Sequence, residues 1–413
     1  MMEKQLSSIE HSRNVPKLRF SDFKDSWDYI DLGKATTINP KNPQLPDSFI
    51  YVDLESVNKG SLTKEDRLIK EGAPSRAQRL LKKGDILYQT VRPYQKNNYF
   101  FNKLETDYVA STGYAQIRTK EISNFIYQYL HTSYFVNKVL VRCTGTSYPA
   151  INSTDLSKIK INIPALPEQQ KIATFLTSVD TKLEQLKKKK DLLEQYKKGM
   201  MQQIFSQKLR FKDENGGNYR DWKKKKLGEI GKTLNGLTGK TKEDFGIGKL
   251  YIQYKQIFDS SKIKIENCGL VNVSESDNQQ TVQFGDVLFT TSSETPNEIG
   301  TASVLLDDVK EMYLNSFCFG FRVNKNTLYP SFAQFLFRSP SFRKKMIPLA
   351  QGSTRYNISK SSFIKLKIDL PSIAEQTQIA NFLSAIDNKI EQVQTQIETT
   401  TTFKKGMLQQ MFI

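Results

Sequence analysis

Along two stretches of this chain, apolar residues recur at alternating steps of four and three. In one stretch they are Ile172, Leu176, Val179, Leu183, Leu186 and Leu193, then Met200 and Ile204. In the other they are Ile379, Leu383, Ile386, Ile390, Val393 and Ile397, then Met407 and Met411. Such steps keep side chains on one helical face, and sustained over many turns they make a coiled-coil seam. Each stretch opens beside a proline, Pro167 or Pro371, where a helix start has no use for the missing N–H. The spacing predicts two rods of roughly 35 residues, each about 50 Å long. The seam has flaws: Lys190 falls where the second stretch has Ile397, and Thr399 to Thr402 form helix poorly. Gly199 and Gly406 sit inside the helical pattern, each followed by a methionine, Met200 or Met407. They predict a break in each rod or a close contact with a partner subunit, or else a bend that lets the chain leave the rod.

Between these stretches the period shortens to two. DILYQTV (85–91) and DVLFTTS (286–292) alternate apolar with polar residues after a Gly-Asp turn and read as strands. FIYQYLHTSYFVNKVL (125–140) and FAQFLFRSPSFRKKMI (332–347) read as amphipathic helices. Each is followed by a loop of glycine and hydroxyl residues and then a closing strand near 158–163 or 365–370. The fold class predicted is α/β (α+β), twice, with a helical spacer.

These elements are written twice. Residues 145–206 align without a gap to 352–413, with 23 identities in 62 positions. IPALPEQQKIATFLTSVDTKLEQ at 163–185 becomes LPSIAEQTQIANFLSAIDNKIEQ at 370–392, and YKKGMMQQIF at 196–205 becomes FKKGMLQQMF at 403–412. Upstream the repeat is fainter. PKLRFSDF at 16–23 resembles QKLRFKDE at 207–214, and Trp27 and Trp222 each precede a Leu-Gly pair by five residues. The order is variable block, shared block, variable block, shared block: 1–165, 166–206, 207–371 and 372–413. Two different readers on one repeated frame produce that order.

Charge then separates the blocks. The chain of 413 residues carries a formal net charge of +18. Of this, 1–165 holds +7 and 207–371 holds +9, so the excess lies on the variable blocks and points to a polyanion. No apolar run is long enough to span a bilayer, and MMEKQLSSIEHSRN lacks the apolar core of a signal peptide. Cys143, Cys268 and Cys318 are far apart, making neither a disulfide framework nor a zinc motif, so a cytoplasmic location is expected. Only His11 and His131 are available for histidine chemistry.

A nucleic-acid enzyme needs a site, and none is legible. Gly239-Lys240-Thr241 lacks the first glycine of a phosphate loop, since Leu234 stands there, and Gly231-Lys232-Thr233 has Lys226 in that place. There is no Asn/Asp-Pro-Pro-aromatic string for adenine methylation. Pro46-Asp47 lacks the acidic-x-Lys partner of a metal nuclease, and the Asp180-Thr181-Lys182 and Asp387-Asn388-Lys389 strings read as solvated helix faces. No catalytic and no metal-ligating residue is assigned.

The paired [Leu/Ile]-Pro-x-x-x-Glu-Gln-x-x-Ile-Ala-x-Phe-Leu-x-x-[Val/Ile]-Asp strings at 163–180 and 370–387 carry a family resemblance, as do the Lys-Lys-Gly-Met-x-Gln-Gln strings and Leu-Tyr-Gln-Thr-Val-Arg-Pro at 87–93. The chain resembles, over nearly its whole length, the specificity subunit (HsdS) of Type I restriction–modification enzymes. That resemblance implies two target recognition domains, each reading half of a bipartite, asymmetric site on double-stranded DNA. It implies an antiparallel coiled coil that sets the gap between the halves. It also implies two modification (HsdM) subunits using S-adenosylmethionine to methylate adenine, and two restriction (HsdR) subunits using ATP with Mg2+. Those cofactors belong to the partners, and this chain would be non-catalytic. Half-sites on one face of B-DNA lie about one turn, roughly 34 Å, apart, a scale that suits the rods. The alternatives are a coiled-coil scaffold with a non-DNA partner, or a fused restriction–methylation enzyme.

Polar, basic and aromatic residues in the variable blocks are the DNA-binding candidates. In the first block these are Thr90, Arg92, Tyr94 and Lys96, then Ser111, Thr112 and Tyr114, then Thr144, Thr146, Ser147 and Tyr148. In the second they are Thr290, Ser292, Ser316, Ser353, Thr354, Arg355 and Tyr356. Arginine can grip guanine bidentately or hold phosphate, and the Gly-hydroxyl loops suit phosphate positioning. Turn chemistry explains the same loops without DNA. Trp27 and Trp222 are expected as core anchors. Gly199, Met200, Gly406 and Met407 are the candidates for subunit contact.

Overall fold

The computed structural model describes residues 15–41 and 44–413, so His11 lies outside the described residues. The described residues form two compact units, one from those up to residue 187 with 395–413, the other from residues 188–394. The division falls inside both long helices, Leu166–Phe205 and Ile373–Gln410, rather than at their ends. The reason is packing. Ile204 and Phe205, at the end of the first long helix, are buried in the second unit's core. Met411 and Phe412, just past the second, are buried in the first unit's core.

In the first unit, one antiparallel sheet runs Thr36–Ile38, Tyr114–Thr119, Ile86–Gln89, Tyr99–Phe100. A second sheet runs Arg67–Ile69, Ser48–Val52, Tyr108–Ser111, Ala77–Leu80, with its middle pair parallel. Asp28–Asp31 pairs with Lys160–Ile163. The second unit repeats the plan. Its antiparallel sheet runs Gly231–Asn235, Cys318–Val323, Val287–Thr290, Ala302–Val304. Its mixed sheet runs Gly269–Val271, Phe245–Ile252, Met312–Leu314, and Lys223–Lys226 pairs with Lys367–Leu370.

The Gly-Asp turns are anchored identically. Asp85 is buried, takes the Lys82 amide, and is gripped by both Nε and Nη2 of Arg118 at 2.8 and 2.7 Å. Asp286 takes the Gln283 amide and is gripped by Arg322 at 2.9 and 2.7 Å. A buried carboxylate is tolerable only when its lone pairs are filled, and a bidentate guanidinium with a backbone amide fills them.

The shared Glu-Gln strings form a second anchor. Glu168 and Glu375 are buried and each accepts two bonds from an arginine, Arg19 at 2.7 Å or Arg210 at 2.8 and 3.0 Å. Those arginines belong to the faint Lys-Leu-Arg-Phe repeat, which thereby acquires a role. The neighbouring glutamines, Gln169 and Gln376, donate to the carbonyls of Pro164 and Pro371. Each also accepts a backbone amide from its own block, Ile122 or Tyr329. Trp27 is buried edge-on against Phe125 and Phe412, as a core anchor should be. Trp222 is half-buried and donates to Glu375.

Three expectations need correction. Each helix forecast over 125–140 and 332–347 is two helices. Ser123–Leu130 gives way to Ser133–Leu140, where the Thr132 side chain caps the second start. Pro330–Leu336 gives way to Pro340–Met346, where Ser339 caps and proline forces the break. Secondly, the long helices run unbroken through Gly199 and Gly406, so neither glycine is a break. Thirdly, of the strings expected as solvated faces, Thr181, Lys182, Asn388 and Lys389 are exposed, but Asp180 and Asp387 are half-buried and ion-paired. Within the first unit, Lys404 Nζ meets Asp180 Oδ1 at 2.5 Å, and Gln128 donates to its other oxygen. Within the second, Lys197 Nζ meets Asp387 Oδ1 at 2.5 Å. In each unit the start of one long helix is thus tied to the end of the other, which makes the pairs antiparallel. Ile172, Leu176, Ile379 and Leu383 of the seam are fully buried, and Leu193 and Ile397 are half-buried.

Candidate nucleic-acid interface

In the first unit, the strand Ile86–Gln89 ends in a short ladder that draws two candidate loops together. Val91 bridges Ala150, the Arg92 amide donates to Pro149, and Ile151 donates to the Thr90 carbonyl. Across this ladder the Arg92 guanidinium lies 4.2 Å from the centroid of the Tyr148 ring. Tyr148 is 63% exposed and Tyr94 49%, so an arginine held on an aromatic face is presented outward. Arg92 has a left-handed backbone, φ 54°, and its Nε is buried without a hydrogen-bond partner. A donor buried and unpaired is costly, and an incoming acceptor would relieve that cost.

The glycine loop beside it exposes Thr144, Thr146 and Ser147. Gly145 adopts φ 88°, and a Cβ there would stand 3.1 Å from the Tyr148 carbonyl. A third loop closes the group. Thr90 donates through Oγ1 to the Gly113 carbonyl, while the Thr112 amide donates to Arg76. Thr112 is half-buried, whereas Ser111 and Tyr114 are buried and shape the turn from beneath. Lys96 turns away from the group, donating to the His131 carbonyl at 2.8 Å, and burial holds its pKa below the usual lysine range.

The second unit builds the same junction from different residues. Ser292 pairs with Asn357 and Ser293 with Tyr356, and Asn357 in turn bridges Gln351. Thr291 donates to the Phe317 carbonyl, bringing the loop of Ser316 and Phe317 alongside. The Arg355 guanidinium lies 5.7 Å from the Phe317 ring, which is 55% exposed. Ser316, Ser353, Thr354 and Arg355 are exposed, and Tyr356 is half-buried. Thr290 is fully buried, its Oγ1 accepting the Thr301 amide, and Ser292 is buried within the ladder. Gly352 adopts φ 123°, and a Cβ there would overlap the Arg355 carbonyl at 2.2 Å.

Phe317 escaped the sequence reading. Its only signal was an aromatic residue following Ser316 in a polar turn, and apolar residues in such turns more often point inward. Arg76, exposed beside Thr112, escaped for the opposite reason: one arginine in a basic block carries no pattern. Neither Arg92 nor Arg355 is in an ion pair with a carboxylate among the described residues, so both guanidiniums remain available to an anion. Each junction therefore offers one arginine on an aromatic face, flanked by hydroxyls and amides. That set can contact phosphates and a base edge together. No helix among the described residues is long and apolar enough to cross a membrane.

The Gly199, Met200, Gly406 and Met407 candidates lie elsewhere. Met200 packs on the second unit's core and Met407 on the first's. A Cβ on either glycine would meet open space.

Comparison with known proteins places this architecture. The profile of the Type I restriction modification DNA specificity domain matches residues 2–195 and 219–400. The MjaVIII specificity subunit of a Type I restriction enzyme from Methanocaldococcus jannaschii is 27% identical over 282 residues, covering 64% of this chain and 64% of that protein. The HindI specificity subunit from Haemophilus influenzae is 30% identical over 188 residues, 44% of this chain and 36% of the relative. The EcoKI specificity subunit from Escherichia coli K12 is 25% identical, covering 67% and 61%. The matched segments thus span 64%, 36% and 61% of these three relatives, in each case less than two thirds. Among solved structures, the S subunit of a Type I restriction–modification system from M. genitalium superposes with a TM-score of 0.58 at 14% identity, covering 97% of this chain and 99% of that one. A chain from a study of Type I system assembly and conformational transition gives 0.56 at 20% identity, covering 92% and 96%. These structures share the fold.

Proposed function

This chain belongs to the Type I restriction–modification DNA specificity family, and from that premise we propose that it reads a bipartite site on double-stranded DNA through the two arginine–aromatic junctions. The observation that carries this reading is the recurrence of one junction on two divergent basic blocks. The ladder and the glycine turn are kept, while the exposed residues differ: Arg92 on Tyr148 in one unit, Arg355 on Phe317 in the other. A conserved scaffold with variable tips is what two distinct half-site readers require.

Partner subunits would supply the chemistry. Two modification subunits would methylate adenine with S-adenosylmethionine, and two restriction subunits would cleave with ATP and Mg2+. The helix faces at Gly199 and Gly406 would be contact points for the former, because a helical glycine with open space at the Cβ position lets another backbone approach closely. The long helices would set the gap between half-sites. Methylome mapping with the cognate modification subunit tests the whole reading. A two-part motif with a fixed spacer is expected, and methylation at a single continuous motif would overturn it. Methylation by the chain alone would point instead to a hidden enzyme.

A further inference from the structure

The strand Lys223–Lys226 of the second unit is made of lysine only, and all four residues are exposed. It pairs with Lys367–Leu370, and no other strand pairs with it among the described residues. Lys226 stands opposite Lys367, which is exposed as well. The ladder continues through the Leu227 amide to Leu366, next to exposed Lys365. None of these six lysines is in an ion pair among the described residues. The one acidic residue opposite the strand, Asp369 across from Lys224, is already held by Lys345 at 3.2 Å.

The equivalent strand of the first unit has the opposite character. Asp28–Asp31 reads Asp-Tyr-Ile-Asp, pairs with Lys160–Ile163, and holds its Tyr29 ring between Lys138 and Lys160 at 5.0 and 5.2 Å. Lysines on an edge strand discourage sheet-to-sheet association. Two aspartates serve the first unit's edge, however, so edge protection does not call for an unbroken lysine run. Like charges at strand spacing, within a Debye length of about 8 Å, repel one another. A partner of dense negative charge would turn that repulsion into binding.

We propose that Lys223–Lys226, with Lys365 and Lys367, forms a sequence-independent contact for the phosphate backbone of duplex DNA; the first unit keeps only the last two, as Lys158 and Lys160, and lacks the lysine strand. The proposal rests on the DNA-reading function above and adds a second footprint to it, distinct from the Arg355 junction. Charge complementarity selects the occupant: a row of ammonium groups, in no ion pair among the described residues, fits a row of phosphates, which carry no sequence information.

The test is the salt dependence of DNA binding by the full chain assembled with its modification subunits, on cognate duplex and on scrambled duplex. Lys223→Gln, Lys224→Gln, Lys225→Gln and Lys226→Gln are combined, and thermal melting checks the fold. Each lysine that meets a phosphate contributes about 0.9 to the log–log salt slope. The combined variant should therefore lose about two units of slope or more, equally on both duplexes, with the methylated motif unchanged. An unchanged slope in the variant, while the parent binds with a steep one, overturns this proposal and leaves the DNA reading standing. Normal slope with weakened assembly also overturns it, in favour of an acidic protein surface. Loss confined to cognate duplex overturns it too, since the strand would then be reading sequence. A parent assembly that shows no salt-dependent binding sinks the underlying DNA reading instead.

Discussion

Arg92 and Arg355 stand in different loops of matching junctions, since Arg355 aligns with Tyr148, and the consequences differ residue by residue. Arg92→Ala should relax recognition of one half-site and leave the other intact, a result read directly from methylated motifs. Equal loss at both halves would refute the assignment. Gly352→Ala should act on the other half, because its φ of 123° and the 2.2 Å approach to Arg355 leave no room for Cβ. His131 bears on pH. Its Nδ1 faces the Tyr127 carbonyl at 2.7 Å, with Lys96 and Lys404 nearby, and burial pushes its pKa down to about 4. The unfolded chain therefore binds this proton more tightly than the folded one. Stability is full above the unfolded value of about 6.5 and falls as pH drops toward 4, by at most about 2 kcal/mol at pH 5. His131→Gln should flatten that part of the melting-temperature profile. A profile that stays as steep would exclude His131 as its source.

At the level of elements, the repeated strings have structural work that accounts for their sameness. The Glu-Gln pairs fasten each long helix to its own block through Arg19 or Arg210, and the Gly-Asp turns fasten strand to strand through Arg118 or Arg322. Asp85→Ala should cost about 2 to 4 kcal/mol in denaturant unfolding of the first unit, because it strands a partly buried guanidinium and a backbone amide. The glycines in the long helices behave differently. With open space at Cβ and a helical backbone, Gly199→Ala should raise the stability of the chain by about 0.5 to 1 kcal/mol. If the glycine serves a partner, the same change should weaken assembly with the modification subunit in a pull-down titration. Gain of stability with unimpaired assembly would leave that contact role without support.

For the molecule as a whole, the two long helices are the elements that belong to both units, so changing their length is the natural perturbation. Inserting four residues near Lys190 should alter the spacer between half-sites and leave both half-site sequences unchanged. Mapping the methylated motif decides the matter, and an unchanged spacer counts against a measuring role. Much of this organisation was legible in the amino-acid sequence. An ungapped repeat, a four-three apolar rhythm and the division of charge by block are local or periodic signals, and each follows from which residues must face water. They determined the duplicated plan, the two helices and the basic character of both heads. What side chains meet across long separations left no such trace. Arg19 finds Glu168, Lys404 finds Asp180, and Tyr148 finds Arg92 only because folding closes loops whose lengths and turns no period encodes. The tertiary structure alone decided which hydroxyls reach the surface, which are buried beneath it, and that the Lys223–Lys226 and Asp28–Asp31 segments form equivalent strands of the two units.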